Sequence, residues 1–109
     1  MEEHLMDKYF ELNDRLGIRL PALHKNWEEY TFDTQQCILL EWEKIRGYIP
    51  DRIAELEDLI NKKQASLSDE SDFKKSCQLN TEIAELASII NDLWLWYRTN
   101  QDIGGKAHH

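Results

Sequence analysis

Glycine and proline are scarce in this sequence, with four Gly and two Pro among 109 residues. Two of the glycines, Gly104 and Gly105, stand close to the last residue. A protein built mainly from β-strands needs many tight turns, and Gly and Pro form such turns most readily. The composition therefore favours a helical protein over a sheet protein, and the length allows one domain.

Cysteine is equally scarce, since only Cys37 and Cys77 are present and they do not form a Cys-x-x-Cys pair. This content excludes a disulfide-rich scaffold. Residues 1–7 are charged from the second position onward, unlike a signal peptide. The sequence also lacks an apolar run of the roughly 20 residues that a membrane-spanning helix requires. We therefore expect a cytoplasmic protein.

Clustered positive charge is missing as well. The chain has 13 Lys and Arg against 21 Asp and Glu, which gives a net charge of −8. Its basic residues alternate with acids along the sequence, as they do from Lys44 to Lys75. Nucleic acids and anionic lipid surfaces are negative and would repel such a chain. We expect neither nucleic acid nor membrane as a partner.

The strongest pattern that is present lies near the end of the chain. Large apolar residues follow one another there at alternating spacings of four and three: Leu79, Ile83, Leu86, Ile90, Leu93 and Tyr97. This spacing keeps the side chains on one face of an α-helix, and a strand could not use it. It predicts a helix over residues 69–98, with Ile83 and Ile90 nearly inaccessible to solvent.

Three further helices are predicted upstream, over residues 2–16, 21–30 and 34–67. The longest contains Pro50, which removes one helical hydrogen bond and normally breaks or kinks a helix. The apolar spacing nevertheless keeps its phase through Ile45, Ile49 and Ile53, so we predict one helix kinked at 47–50 rather than two. The predicted fold class is all-α: an antiparallel three- or four-helix bundle built on the long kinked helix paired with the C-terminal helix. Residues 1–103 form the domain, and residues 104–109 are interpreted as a linker and the remnant of a tag.

Acidic residues are the main candidates for chemistry. Pairs at helical spacing occur at Glu82 and Glu85, at Glu55 and Asp58, and at His4 and Asp7 with Glu11 nearby. All of them lie outside the apolar stripes, whereas a metal site in a bundle needs ligands that converge in its core. Helical nucleotide pyrophosphatases hold Mg²⁺ on helical Glu and Asp residues, but Ser88 and Ile89 stand where their second acidic motif would need acids. We predict no catalytic, cofactor-binding or metal-binding residue.

Aromatic residues surround the end of the last predicted helix, at Trp94, Trp96 and Tyr97. The two short helices could not cover both long ones, which would leave Ile89 and Trp96 exposed about 20° apart on the helix. We therefore predict a small acidic protein–protein interaction module that forms a homodimer, with Ile89 and Trp96 as partner-binding residues. Two alternatives stay open: a Mg²⁺-dependent hydrolase that uses carboxylates borne on helices, and an acidic inhibitor that mimics nucleic acid.

Overall fold

The computed structural model of this chain describes residues 8–99 and consists of a β-hairpin followed by a helical hairpin. Strands β1 (Phe10–Asn13) and β2 (Ile18–Pro21) pair in antiparallel fashion, with Phe10 opposite Pro21 and Asn13 opposite Ile18. A 3₁₀ turn at Trp27–Glu29 leads to the long helix α1 (Phe32–Asp69). A short turn then reverses the chain into α2 (Phe73–Tyr97), which packs along α1.

The predicted three- or four-helix bundle is therefore wrong: the structure is a helical hairpin with a small two-stranded antiparallel sheet. Most of the predicted helix over 2–16 forms β1 and its turn, and residues 2–7 lie outside the described part. The backbone N–H of Gly17 donates to the carbonyl of Asn13 at 2.7 Å, and the N–H of Leu16 donates to the Asn13 side chain at 2.9 Å. Gly17 has a φ of +76°, a conformation that glycine adopts without steric cost. This tight turn brings the two strands together and prevents a helix.

The predicted helix over 21–30 is also wrong, because only the short 3₁₀ turn forms there. Pro21 instead ends β2, where its missing N–H leaves no ladder bond unmade. The side chain of Glu29 accepts a hydrogen bond from the N–H of Asn26 at 2.8 Å, which closes the turn. The hydroxyl of Tyr30 accepts from the N–H groups of His24 and Lys25, so a loop conformation satisfies this backbone.

Helix α1 continues through Pro50, as the phase of the apolar residues predicts. Ile45, Ile49 and Ile53 are all buried, so the helix keeps a continuous packed face on both sides of the proline. Pro50 itself is exposed. Because it has no N–H, the carbonyl of Arg46 lacks its usual helical donor, and water can donate a hydrogen bond to it instead. Thr31 caps the start of the helix, since its hydroxyl accepts a hydrogen bond from the N–H of Thr34 at 3.2 Å. The packing of the apolar face therefore outweighs the local cost of the proline.

The hydrophobic core lies in one half of the helical hairpin. Its buried members are Phe10, Leu16, Ile18, Leu23, Ile38, Trp42, Ile45, Ile49, Ile53, Leu56, Ile89 and Leu93. No residue between 57 and 88 is fully buried. We call residues 57–69 and 73–88 the arm, since there the two helices contain no fully buried residue. The arm has a polar seam in which the ammonium of Lys63 lies 2.7 Å from the carboxylate of Glu82.

Neither helix of the described part has an apolar stretch long enough to cross a membrane.

Candidate interaction surface

The helical hairpin has two sides, and the β-hairpin lies on one of them. We call this the covered side. From the β-hairpin, Arg19 makes an ion pair with the buried Glu41 of α1. The guanidinium of Arg52, also on α1, donates to the carbonyl of Leu16 at 3.1 Å. The β-hairpin is thus fixed to α1 by charged side chains around an apolar centre.

Arg15 fixes the same β-hairpin to α2. Its guanidinium contacts three α2 side chains, at 3.0 Å from Glu85, 2.7 Å from Asp92 and 2.9 Å from the hydroxyl of Ser88. The hydrogen bonds to Asp92 and Glu85 raise the pKa of Arg15 above its ordinary value. On the covered side, hydrogen bonds and ion pairs of charged side chains therefore join the β-hairpin to both helices.

The opposite side, which we call the open side, has a different character. Around the axis of α2, the charged residues Glu85 and Asp92 lie on one side of the buried Leu93. On the other side, at about 60–120° from Leu93, lie four uncharged residues: Ile83, Ala87, Ile90 and Trp94. Ile83 and Ile90 are half-buried rather than inaccessible, so the prediction of their full burial is wrong. Ala87 is exposed, and Trp94 remains 37% exposed. This row of side chains is apolar and accessible to solvent.

The row extends along α2 at alternating spacings of four and three. We call it the neutral strip, and it consists of Ser76, Asn80, Ile83, Ala87, Ile90, Trp94 and Tyr97. None of these seven residues carries a charge, although 31% of the chain is Asp, Glu, Lys or Arg. The strip is therefore an uncharged surface about 32 Å long on an otherwise charged protein.

A shallow groove runs beside the middle of the neutral strip. It has a volume of about 420 Å³ and is lined by Glu57, Ile60 and Asn61 of α1 and by Ala87 and Ile90 of α2. Ile60, one of the lining residues, is half-buried. The small side chain of Ala87 leaves the groove open, so that an apolar side chain could enter it from outside.

The strip ends in an aromatic and cationic group. The rings of Trp94 and Tyr97 meet edge to face with centroids 5.5 Å apart. The guanidinium of Arg46 lies 4.8 Å from the centre of the Tyr97 ring and donates to the Tyr97 carbonyl at 2.8 Å. These contacts hold the aromatic side chains in place while leaving part of the Trp94 indole accessible. Trp, Tyr and Arg are the residue types that contribute most often to binding energy at protein interfaces.

The structure places the two residues predicted to bind a partner differently from the sequence-based expectation. Ile89 is only 8% exposed and belongs to the core, and Trp96 is half-buried with its ring edge-on to Trp42 at 5.7 Å. Their predicted exposure therefore does not hold, although a role in partner binding stays a prediction. Both lie on the flank of α2 that turns toward the covered side, away from the neutral strip.

Several of the acidic residues considered for metal binding make ion pairs with basic side chains. Glu82 pairs with Lys63 and Glu85 with Arg15, while Asp58 lies 3.1 Å from Lys62. Hydrogen bonds from Lys63 and Gln78 lower the pKa of Glu82 below its ordinary value. His4 and Asp7 are outside the described residues, and within 8–99 no three His, Cys, Asp or Glu side chains come together to hold a metal ion.

Two thiols lie at the surface, and one carboxylate is buried. Cys37 and Cys77 are both exposed. Glu41 is buried, and its two oxygens face Arg19 and, at 3.9 Å, Lys44. Its position one residue before Trp42 on the same helix gave no sign of burial, because the β-hairpin that supplies Arg19 was not predicted.

Comparisons of the chain with protein-family models, with curated proteins and with solved structures find no match.

Proposed function

We propose that this chain is a small cytoplasmic protein–protein interaction module that self-associates as a homodimer, and that the neutral strip is its binding surface. The observation that carries this proposal is the strip itself, an uncharged and mostly apolar row that stays accessible on a strongly charged chain. An amphipathic helix gains stability by burying its apolar face against another element. On the open side, a second protein chain can provide that element.

The arm supports the same proposal. Neither helix has a fully buried residue in the arm, and the seam between them includes the Lys63–Glu82 ion pair. Leu79, Ile83 and Leu86 are half-buried there, which leaves part of each side chain in water. A partner helix laid along the open side would bury these residues further and would stabilise the arm.

The charge distribution restricts where a second copy can make contact. Each chain has a net charge of −8, so two copies repel one another wherever their charged surfaces meet. The neutral strip offers a contact in which no like charges face each other. The repulsion that remains comes from more distant groups, and salt at physiological concentration screens charges beyond about 8 Å.

Sedimentation over a range of protein concentrations tests this function. The wild-type protein should change from a 13.0 kDa species to one of about twice that mass as its concentration rises. Trp94→Ala removes the largest side chain of the strip and should stay monomeric at concentrations where the wild-type protein is dimeric. Leu95→Ala is the matched control, because Leu95 is 44% exposed on the same helix but lies away from the strip.

Two results would contradict the proposal. One is a wild-type protein that stays at 13.0 kDa throughout the concentration range. The other is a Trp94→Ala variant that associates as strongly as the wild-type protein and the Leu95→Ala control.

A further inference from the structure

The buried side chains of the helical hairpin occupy only part of its length. On α1 the last one is Leu56, and on α2 the first one is Ile89. Arg15 of the β-hairpin contacts α2 as far as Glu85, where its guanidinium lies 3.0 Å from the carboxylate. We call the part farther out, residues 60–84 with the turn between the helices, the outer arm. In the described part of the chain, no apolar side chain of the outer arm packs on the core, and no charged side chain of the β-hairpin contacts it.

The seam between the two helices of the outer arm is only partly shielded from water. Its large apolar members are all half-buried: Ile60, Leu67, Leu79 and Ile83. The seam also contains the ion pair of Lys63 with Glu82, whose side chains are 31% and 37% exposed. Within the described chain, this pair is the only side-chain hydrogen bond or ion pair that joins the two helices of the outer arm. An ion pair this exposed contributes little to stability.

The other half of the helical hairpin, which we call the core half, is joined by stronger contacts. The indole N–H of Trp42 on α1 donates to the carbonyl of Thr99, just after α2, at 2.7 Å in a buried position. Ile49 and Leu93 are completely inaccessible to solvent. Unfolding the core half would therefore expose much more apolar surface than separating the two helices of the outer arm.

The two helical segments of the outer arm are short. Isolated helices below about 12–15 residues are marginal in water, and residues 60–69 and 73–84 do not exceed that length. The second segment also contains four residues of types with low helix propensity: Ser76, Cys77, Asn80 and Thr81. Each segment therefore depends on packing against the other to stay helical, so the two should lose their structure together.

We infer that the outer arm is a separate cooperative unit, whose two helical segments come apart and unfold locally while the core half and the β-hairpin stay folded. Regions with few buried apolar contacts open at a lower free energy than the whole protein unfolds. Opening removes Ser76, Asn80 and Ile83 from the neutral strip. A partner that binds the whole strip would therefore suppress the opening, because it binds only the closed form. The inference itself concerns the single chain and does not depend on self-association.

Hydrogen exchange of the backbone amides, followed by NMR at low protein concentration, tests this inference. After correction for intrinsic rates, amides of the outer arm should exchange about 100-fold faster than those near Ile49 and Leu93. Their exchange should also depend less steeply on urea, since local opening exposes less surface than global unfolding. Equal protection in the two regions, with the same dependence on urea, would overturn the inference. Because the chain is studied as a monomer, neither result decides whether it self-associates at higher concentration.

Two matched substitutions separate local opening from global unfolding. Ile49→Val removes one methyl group from the core half, which stays folded when the outer arm opens. It should speed exchange near Ile49 and Leu93 by about threefold to tenfold and leave the exchange of the outer arm unchanged. Ile83→Val makes the same change in the seam, which both local and global unfolding disrupt, so it should speed exchange in both regions by one smaller factor. If Ile49→Val speeds exchange in the outer arm as much as in the core half, the chain unfolds as one unit and the inference is wrong.

Discussion

The two sides of the helical hairpin differ in how their apolar centre is closed. On the covered side the β-hairpin provides the cover, and its edge is held by Arg15 against Glu85 and Asp92 and by Arg19 against Glu41. On the open side the edge is the neutral strip, which is apolar and accessible. On the covered side, the apolar side chains are shielded from water by the β-hairpin and by the ion pairs around it. On the open side, the apolar side chains of the neutral strip remain in contact with solvent.

The largest expected effect compares a core residue with its neighbour on the strip. Leu93→Ala, at a fully buried position, should lower the free energy of unfolding by about 3 kcal/mol because it leaves a cavity. Ile90→Ala, at a half-buried position, should cost about 1 kcal/mol in the monomer. Urea unfolding at low protein concentration measures both values. Equal losses of unfolding free energy at the two positions would mean that Ile90 is as well buried as Leu93 within a single chain.

A smaller effect concerns the turn that positions the covering β-hairpin. Gly17→Ala should cost about 1–2 kcal/mol, since an alanine is strained at positive φ. Its Cβ would also lie 2.7 Å from the Nε atom of Arg52, which donates to the Leu16 carbonyl. Thermal or urea unfolding checks this value.

Gly47→Ala provides the matched control for that change. Gly47 lies inside α1 with no atom within 4 Å of an added Cβ. Alanine should stabilise the helix there by about 0.5–1 kcal/mol, because it loses less backbone freedom than glycine. A loss of stability at Gly47, or no loss at Gly17, would contradict the described turn and helix.

The smallest effect is a dependence on pH in the arm. Glu82 has a pKa lowered from its ordinary 4.5 by Lys63 and Gln78. Its contribution to stability is therefore present above about pH 4.5 and is lost as the pH falls through the lowered value. Lys63→Gln should lower Tm at about pH 7, and the difference from the wild-type protein should shrink as the pH falls through the lowered pKa of Glu82. Lys62→Gln, in the exposed pair with Asp58, is the control and should change Tm less at neutral pH. A Lys63→Gln effect that persists at low pH would show that packing, not charge, is responsible.

Most of the helical hairpin was predictable, and the β-hairpin was not. Helices of 38 and 25 residues contain enough turns for the apolar period to be evident, even across Pro50. Strands of four residues are too short to show alternation, and the spacing of Leu12 and Leu16 also fits a helix. The local signal that could have identified the hairpin is its turn, where Asn13, Asp14 and Gly17 are all residues that favour turns.

The accessible apolar surface of α2 differs from the predicted one for a related reason. The spacing of four and three predicts that the centre of the apolar stripe faces the core, with Ile83 and Ile90 buried and Ile89 exposed. The β-hairpin lies on the side of α2 that carries Ile89. The buried face of α2 is therefore turned toward Ile89, which is only 8% exposed. The opposite flank, with Ile90 and Trp94, is left at the surface. Without knowledge of the β-hairpin, the sequence alone could not indicate this shift.

The central claim, that a second copy covers the open side, is tested most directly by residue-resolved accessibility at low and high protein concentration. Oxidative labelling by hydroxyl radicals followed by mass spectrometry reports the exposure of each side chain. With rising concentration, Ile83, Ile90 and Trp94 should become protected, while Leu95 and Tyr48, both exposed away from the strip, should not change. Labelling of the strip that is the same at both concentrations, in a protein that sediments as a dimer, would contradict the claim and place the contact elsewhere.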